Sequence, residues 1–536
     1  MTFANVLARV HLDGTDFPLA IPAVALTCLV LLGFIHRRRR SEQDLKLPPG
    51  PPGYPFIGNL LQVAKAERPH LLFPEWSREY GNMVQFSVFG FQSILVNKLS
   101  IANDLLEKRG AIYSDRPNMV LENELLGWDA AMPTMRYGAQ FRKHRRLSQT
   151  LLNPNAARGY TRMHEELAAR LLSSLVAQPG NYATSTIFRL TYDLDITSDN
   201  HYLVRLANDA VKKSAEAYQA SGALVDVFPS LKWFYTTYPD KAPFSGFKKV
   251  VADIRREVVK ANGIPYDMAK EKIRDGTARP SLVNTAINNW GGIEGISAED
   301  EGEIRGLAGI LYGAGQETTM ATLNSFVLAM VRNPAVQRKA QAEIDAVVPR
   351  DRLPNLDDRP QIPYLEAFVK ELYRQVSQLY NAAAVAGLTH YFRWASPLVI
   401  AIPHVVTQDD FYDGYFIPKG TSVIASIYDM LNACPRPAEF LPGRFIDGTD
   451  LGDVPEDPRD VVFGFGRRRC PGLHVADNSI WNAVAQMLAS FEFLPEIVDG
   501  KECLPPLKFG KEMARHPEPF RCRIQPREGR QRHVVV

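Results

Sequence analysis

Residues Phe463 to Asp477 run FGFGRRRCPGLHVAD: a glycine-rich loop, three consecutive arginines, a cysteine followed by proline and glycine, then the apolar spacing of a helix. Amides at a helix start and nearby guanidinium groups both favour a thiolate over a thiol, so Cys470 stands where a cysteine becomes a strong anionic ligand. A lone cysteine is more often an inert, buried side chain. Here the three arginines and the two glycines argue against that fate. The other cysteines, Cys28, Cys434, Cys503 and Cys522, are sparse and widely spaced, which suits a reducing compartment and not a disulfide framework.

The bulk of the chain is that of an enzyme-sized globular protein: 536 residues, 46% hydrophobic and 23% charged. Sixty-two basic residues against 59 acidic ones leave a net charge of +3, with no nucleic-acid footprint. Phe17 to Ile35 carries no charge, and its length of about 28 Å as a helix matches a bilayer core. Arg37 to Arg40 follow directly, so the positive-inside rule predicts a single-pass anchor over 17–35, with residues 1–16 lumenal and everything later cytosolic. A cleaved signal peptide would have a shorter apolar region preceded by its charges. Residues 36–56 are basic and then proline-rich, a stiff linker to a body over 57–536.

Within the body, β-branched and aromatic runs between Ile57 and Val96 predict a small sheet, after which helical periodicity dominates, as in 141–152, 163–175 and 336–347. The expected class is mainly α with small β-sheets. Glu299 to Val331 forms one long helical pattern capped by Ser297 and ending before Pro334. Its interior, LYGAGQETTMAT, holds Gly313 and Gly315, each costing about 1 kcal/mol relative to alanine, followed by Glu317, Thr318 and Thr319.

Taken with Phe463, Gly466, Arg468, Cys470 and Gly472 at the fixed positions of a haem-binding loop, the chain after Leu47 resembles the cytochrome P-450 superfamily of haem-thiolate monooxygenases, fungal microsomal type. The resemblance implies that fold, a haem b with Cys470 as axial iron ligand, and insertion of one oxygen atom of O₂ into a lipophilic substrate. It makes Ala314 and Gly315 part of an oxygen-binding groove where the helix parts beside the haem. Glu317 and Thr318 become the acid and hydroxyl that deliver protons during dioxygen cleavage. Glu371 and Arg374 in KELYR, with Arg444 in FLPGRF, match a structural triad. Arg145 in FRKHRR, Arg468 and His404 are expected on the haem propionates, with Phe141 standing where the family usually has tryptophan.

No flavin or iron–sulfur segment is recognisable, so the resemblance implies electrons from a separate NADPH-cytochrome P-450 reductase, docking on the basic face around Arg467 and Arg469. It also implies an endoplasmic reticulum membrane location and a terpenoid, polyketide, steroid or polycyclic aromatic substrate of secondary or xenobiotic metabolism. The pocket is expected within 117–135 and 394–403. Two other classes stay open: a reductase-independent haem-thiolate isomerase or dehydratase, which Glu317 and Thr318 disfavour, and an inactive haem protein. The last possibility is prompted by Gln375 to Arg393, nineteen residues that separate KELYR from WASPLVIAIPH. They read either as a lengthened surface loop, whose closure costs little, or as translated non-coding sequence that threatens the fold at that junction.

Overall fold

The computed structural model describes residues 45–65, 69–175, 181–196, 198, 200–221, 224–239, 246–378, 400–509 and 516–529. The 17–35 segment lies outside them. No helix among the described residues is long and apolar enough to cross a membrane.

The expected first sheet is present. β1 (Met83–Val88) and β2 (Phe91–Val96) form an antiparallel hairpin. The proline segment is laid onto β1: the Gln85 amide donates to the Pro49 carbonyl, and Asn59 Nδ2 donates to the Pro51 carbonyl. The carboxy-terminal part of the sequence-predicted linker is thus docked on the sheet.

Helices follow: α1 (Ala139–Leu152), α2 (Thr161–Leu175), α3 (Asn181–Tyr192), α4 (Tyr202–Ser221), α5 (Gly246–Arg274), α6 (Ala298–Arg332), α7 (Pro334–Val347) and α8 (Pro363–Gln378). β3 (His404–Val405) and β6 (Ser422–Ala425) complete the first sheet in the order β1-β2-β6-β3, β6 lying parallel to β2. α9 (Leu473–Ser490) leads into a second sheet of β7 (Phe491–Val498), β8 (Lys501–Cys503) and β9 (Cys522–Pro526). A separate compact unit contains the hairpin β4 (Asp410–Tyr412) and β5 (Tyr415–Ile417), where Phe416 donates its amide to the Lys46 carbonyl.

α6 explains its own odd sequence. Its first half, Ile304 to Tyr312, packs into one core with α3 and the start of α9. Its second half, Leu323 to Val331, packs into another with α7, α8, α9 and β7. A third cluster joins Val120–Leu126 to α4, Val225 and α5. The two larger cores meet α6 on either side of the glycine-rich stretch, within which Ala314 is exposed. Ser297 caps the amino end, accepting the Asp300 amide, with Glu299, Asp300 and Glu301 in the first turn.

The expected parting of this helix is not observed; α6 runs unbroken through Gly313 and Gly315. Three of its glycines serve close packing, whereas a Cβ at Gly313 would meet only Val211 Cγ2 at an ordinary 3.9 Å. A Cβ at Gly306 would sit 2.1 Å from Ala130 Cβ, one at Gly309 2.0 Å from Asn262 Oδ1, and one at Gly315 2.6 Å from Ile187 Cδ1.

α8 also departs from expectation, continuing past Arg374 to Gln378. Gln375 is buried and donates to the carbonyls of Pro437 and Glu439, so it is packed into the fold as part of the helix. Residues 379–393 of the suspected insertion lie outside the described residues.

Candidate haem-thiolate site

The Cys470 loop is held by its own backbone. The Cys470 amide donates to the Phe463 carbonyl at 2.7 Å, and Gly464 and Gly466 adopt φ of +73° and +51°. A Cβ at Gly466 would fall 2.2 Å from the Leu106 carbonyl oxygen, so both conformation and space require glycine there. Gly472 is different: a Cβ would meet only Cys470 Sγ, at an ordinary 3.8 Å. Phe463 stacks edge-on against Tyr373 of α8.

Cys470 precedes α9, and the amides of Gly472 and Leu473 point at its sulfur. Burial nevertheless pushes the thiol pKa up, against those amides and the Arg145 and Arg469 charges. The side chain is at once accessible and crowded by protein atoms, which describes a thiol lining a concave surface. A bound cation at the sulfur would add to the amides and arginines in favouring the thiolate.

Above this loop four basic groups converge. Arg468 donates to the carbonyls of Ser114, Met132 and Met135, with its guanidinium 3.7 Å above the Phe141 ring. Phe141 thus serves as a cation–π floor at the position where the family usually has tryptophan. Arg145 Nη1 donates to the Arg469 carbonyl. Arg116, which sequence reasoning missed, is buried and donates to the carbonyls of Pro133, Ile402 and Pro403. His404 is buried on β3 and its Nδ1–H donates to the Tyr113 carbonyl.

Burial drives the Arg468 pKa down to about 10, and burial with the Arg468 charge lowers that of Arg116. Burial and then Arg116 push His404 far down, so it is a neutral imidazole whose one N–H is already committed. Arg116, whose charge helps to keep His404 neutral, stands beside it in the same cluster. The neighbouring acid, Asp115, is occupied by Arg136 and the Tyr137 amide. Among the described residues Arg116, Arg145 and Arg468 donate hydrogen bonds to carbonyls only, and, beside a cysteine, they fit a dianionic iron macrocycle: two carboxylates for the arginines and a metal for the sulfur.

The triad residues meet. Arg374 donates twice to Glu371 at 2.7 Å, Arg444 donates to the same carboxylate at 3.0 Å, and all three side chains are buried. The remaining guanidinium N–H groups are taken by carbonyls of residues 435, 436 and 439. A second network, also missed from sequence, joins Arg359 and Arg459 to Glu366, Asp457 and Asp477, tying α8 to α9 around the loop.

On α6, the Thr318 hydroxyl donates to the Ala314 carbonyl at 2.8 Å, beside Glu317. Ala314 is exposed, whereas Gly315 faces Ile187 of α3. Arg467 is exposed and donates to the neutral Tyr137 hydroxyl, so it keeps its full charge, whereas Arg469 pairs with Asp460. On the adjacent α1, Arg142 and Arg146 are exposed.

A helical body that presents a cysteine at a helix start beneath a cluster of buried arginines defines a haem-thiolate protein. The chain belongs to the cytochrome P450 family, whose model matches residues 48–382 and 390–522, and it is an oxidoreductase of the monooxygenase type. It is 69% identical over 522 residues to cytochrome P450 monooxygenase eriC of Hericium erinaceus, covering 96% of this chain and 98% of that one. It is 35% identical to the monooxygenase claR of Ampulloclitocybe clavipes, covering 96% and 91%. A zebra fish cytochrome P450 solved with progesterone superposes with a TM-score of 0.66 at 23% identity, over 86% of this chain and 99% of that one. The family match skips residues 383–389, inside the suspected insertion.

Proposed function

We propose that the chain inserts one oxygen atom of O₂ into a terpenoid, polyketide, steroid or polycyclic aromatic substrate of fungal secondary or xenobiotic metabolism, with electrons from NADPH-cytochrome P-450 reductase. The observation that carries this reading is the pairing of Cys470 with the arginine cluster over one loop. Bound haem supplies the redox chemistry by which one oxygen atom enters a C–H bond and the other leaves as water. Cys470 would ligate its iron, and Arg116, Arg145 and Arg468 would hold its carboxylates. Glu371 and Arg374 of α8, with Arg444 from the turn at Pro442–Phe445, would brace the protein around the cysteine loop.

Thr318 holds a hydroxyl proton against the Ala314 carbonyl. Rotation of that hydroxyl would present the proton to the exposed side of α6 at Ala314, and Glu317 would restore it by passing on a proton taken from solvent water. This pairing favours monooxygenation over a reductase-independent isomerisation, which needs no proton delivery. The reductase docks on the basic face around Arg467 and Arg469, which the exposed Arg142 and Arg146 of α1 extend. The apolar 17–35 segment with Arg37 to Arg40 anchors the enzyme in the endoplasmic reticulum membrane with its body cytosolic.

Turnover of a panel of steroids, terpenoids and fused aromatics is the test. Oxygenated product that requires both NADPH and added reductase supports the reading. Conversion that proceeds equally without them contradicts it.

A further inference from the structure

The segment Val120–Leu125, a single π-helical stretch, joins two parts of the molecule. On one side Asn123 and Thr134 hydrogen-bond each other through their side chains at 3.0 Å, and Thr134 lies between Met132 and Met135, whose carbonyls Arg468 holds. Arg116 holds the Pro133 carbonyl as well. The 116–135 stretch therefore begins and ends on the arginine cluster and forms a wall beside it.

The other side is fastened by one carboxylate. Asp226, in the short helix Leu224–Val227, accepts the Leu121 amide at 2.8 Å on one oxygen and the Tyr218 hydroxyl at 2.5 Å on the other, and accepts the Val120 amide too. These amides open the 120–125 turn and have no partner within it, so an anionic acceptor there is well placed. At the opposite end Arg255 of α5 donates to the Glu124 carbonyl at 2.6 Å, and Lys232 pairs with the Glu124 carboxylate. The surrounding side chains, Val120, Leu121, Val225 and Val258, form the separate third core, so this wall is packed independently of the two larger ones.

We propose that Asp226 is a positioning residue for substrate: by carrying the amino end of the 120–125 turn it fixes the wall beside the arginine cluster, and so sets substrate affinity and product selectivity without touching haem ligation. The substrate half of this inference rests on the monooxygenase reading above; the wall half does not. Burial raises the Asp226 carboxyl to about 6 despite its three donors, consistent with an acid kept inside for a structural purpose.

The test compares Asp226→Ala and Asp226→Asn with wild type in the full chain. In Asp226→Ala, amide hydrogen exchange over 120–126 accelerates about tenfold or more while α9 is unchanged, as expected when a charge-assisted cap is removed. KM for the panel compound turned over best by wild type rises about tenfold, kcat stays within about twofold, and minor products increase. Asp226→Asn, which keeps one acceptor oxygen, falls between. If Asp226→Ala does not fold, Asp226→Asn decides on the same readouts. Wild-type exchange rates over 120–126 overturn the inference, as does an unchanged KM and product ratio. Wild type that turns over nothing on the panel counts against the monooxygenase reading, and the exchange rates alone then decide whether Asp226 fixes the wall.

Discussion

Gly466 is where the ligand loop has least freedom. Alanine there faces a left-handed φ and a backbone oxygen 2.2 Å from its Cβ, and neither can be relieved by a side-chain rotation. Gly466→Ala is expected to cost about 2 kcal/mol or more and to lower haem content sharply. Gly472→Ala, with ordinary contacts, leaves haem content near wild type; pyridine haemochrome assay of the two variants reads the difference. Both glycines stand at fixed positions of the sequence motif, yet the left-handed φ of Gly466 and its contact with Leu106 separate them. Cys470, Arg145 and Arg468 were legible because their loop and helix contexts are local. Arg116 was not, because one arginine beside Asp115 in SDRP reads as a solvated pair until folding brings Pro133, Ile402 and Pro403 to its donors. The neutral state of His404 was not legible, since it depends on burial and on Arg116.

At the scale of elements, α8 concentrates its contribution in one buried carboxylate shared by two guanidinium groups. Glu371→Ala strands both charges and is expected to destabilise the fold by about 3–5 kcal/mol, with loss of haem on purification. Glu366→Ala, in the half-buried network, costs less because solvent reaches its partners. The wall helix at 120–125 has a pH signature. Glu122 is pushed up to about 7 from its ordinary 4.5 by burial and then by Asp226; the other charged or titratable groups around this pair are Glu124, Lys232, Arg255, Tyr218 and Tyr235. Because the folded pKa lies above the unfolded one, the folded state binds the proton more tightly; stability is gained as pH falls through 7 and lost as it rises through 7. Glu122→Gln should flatten thermal stability between pH 5.5 and 8 and stabilise the protein at pH 8 by roughly 1–3 kcal/mol. A melting midpoint that remains as pH-dependent as wild type would remove Glu122 as the source. The limits of α6 were readable from Ser297 and Pro334, whereas its straightness was not. Close approach of Ala130, Asn262 and Ile187 to its glycines is a tertiary fact that a helical pattern does not encode.

At the scale of the whole molecule, the junction after KELYR is continuous through Gln378, and Gln375 belongs to the carbonyl cradle around the triad. Deleting residues 383–389 is therefore expected to leave haem content unchanged, while deleting 375–393 lowers it; the reverse order would show the insertion to be disruptive. Arg142→Glu with Arg146→Glu should lower kcat/KM for reductase several-fold at low salt and little at high salt, as expected for steering between charged faces. The family fold was legible because its ligand loop, triad and long helix are short motifs. The 224–238 region was not, because its short helices are held by contacts to Glu124 and to the amides of 120 and 121, and not by periodicity of their own. The central claim is that Cys470 ligates haem iron as a thiolate. The carbon-monoxide difference spectrum of the reduced full-length protein tests it most directly: the strongly red-shifted band of thiolate-ligated haem is expected in wild type and absent in Cys470→Ala. A wild-type spectrum lacking that band, or a Cys470→Ala spectrum that keeps it, would contradict the account.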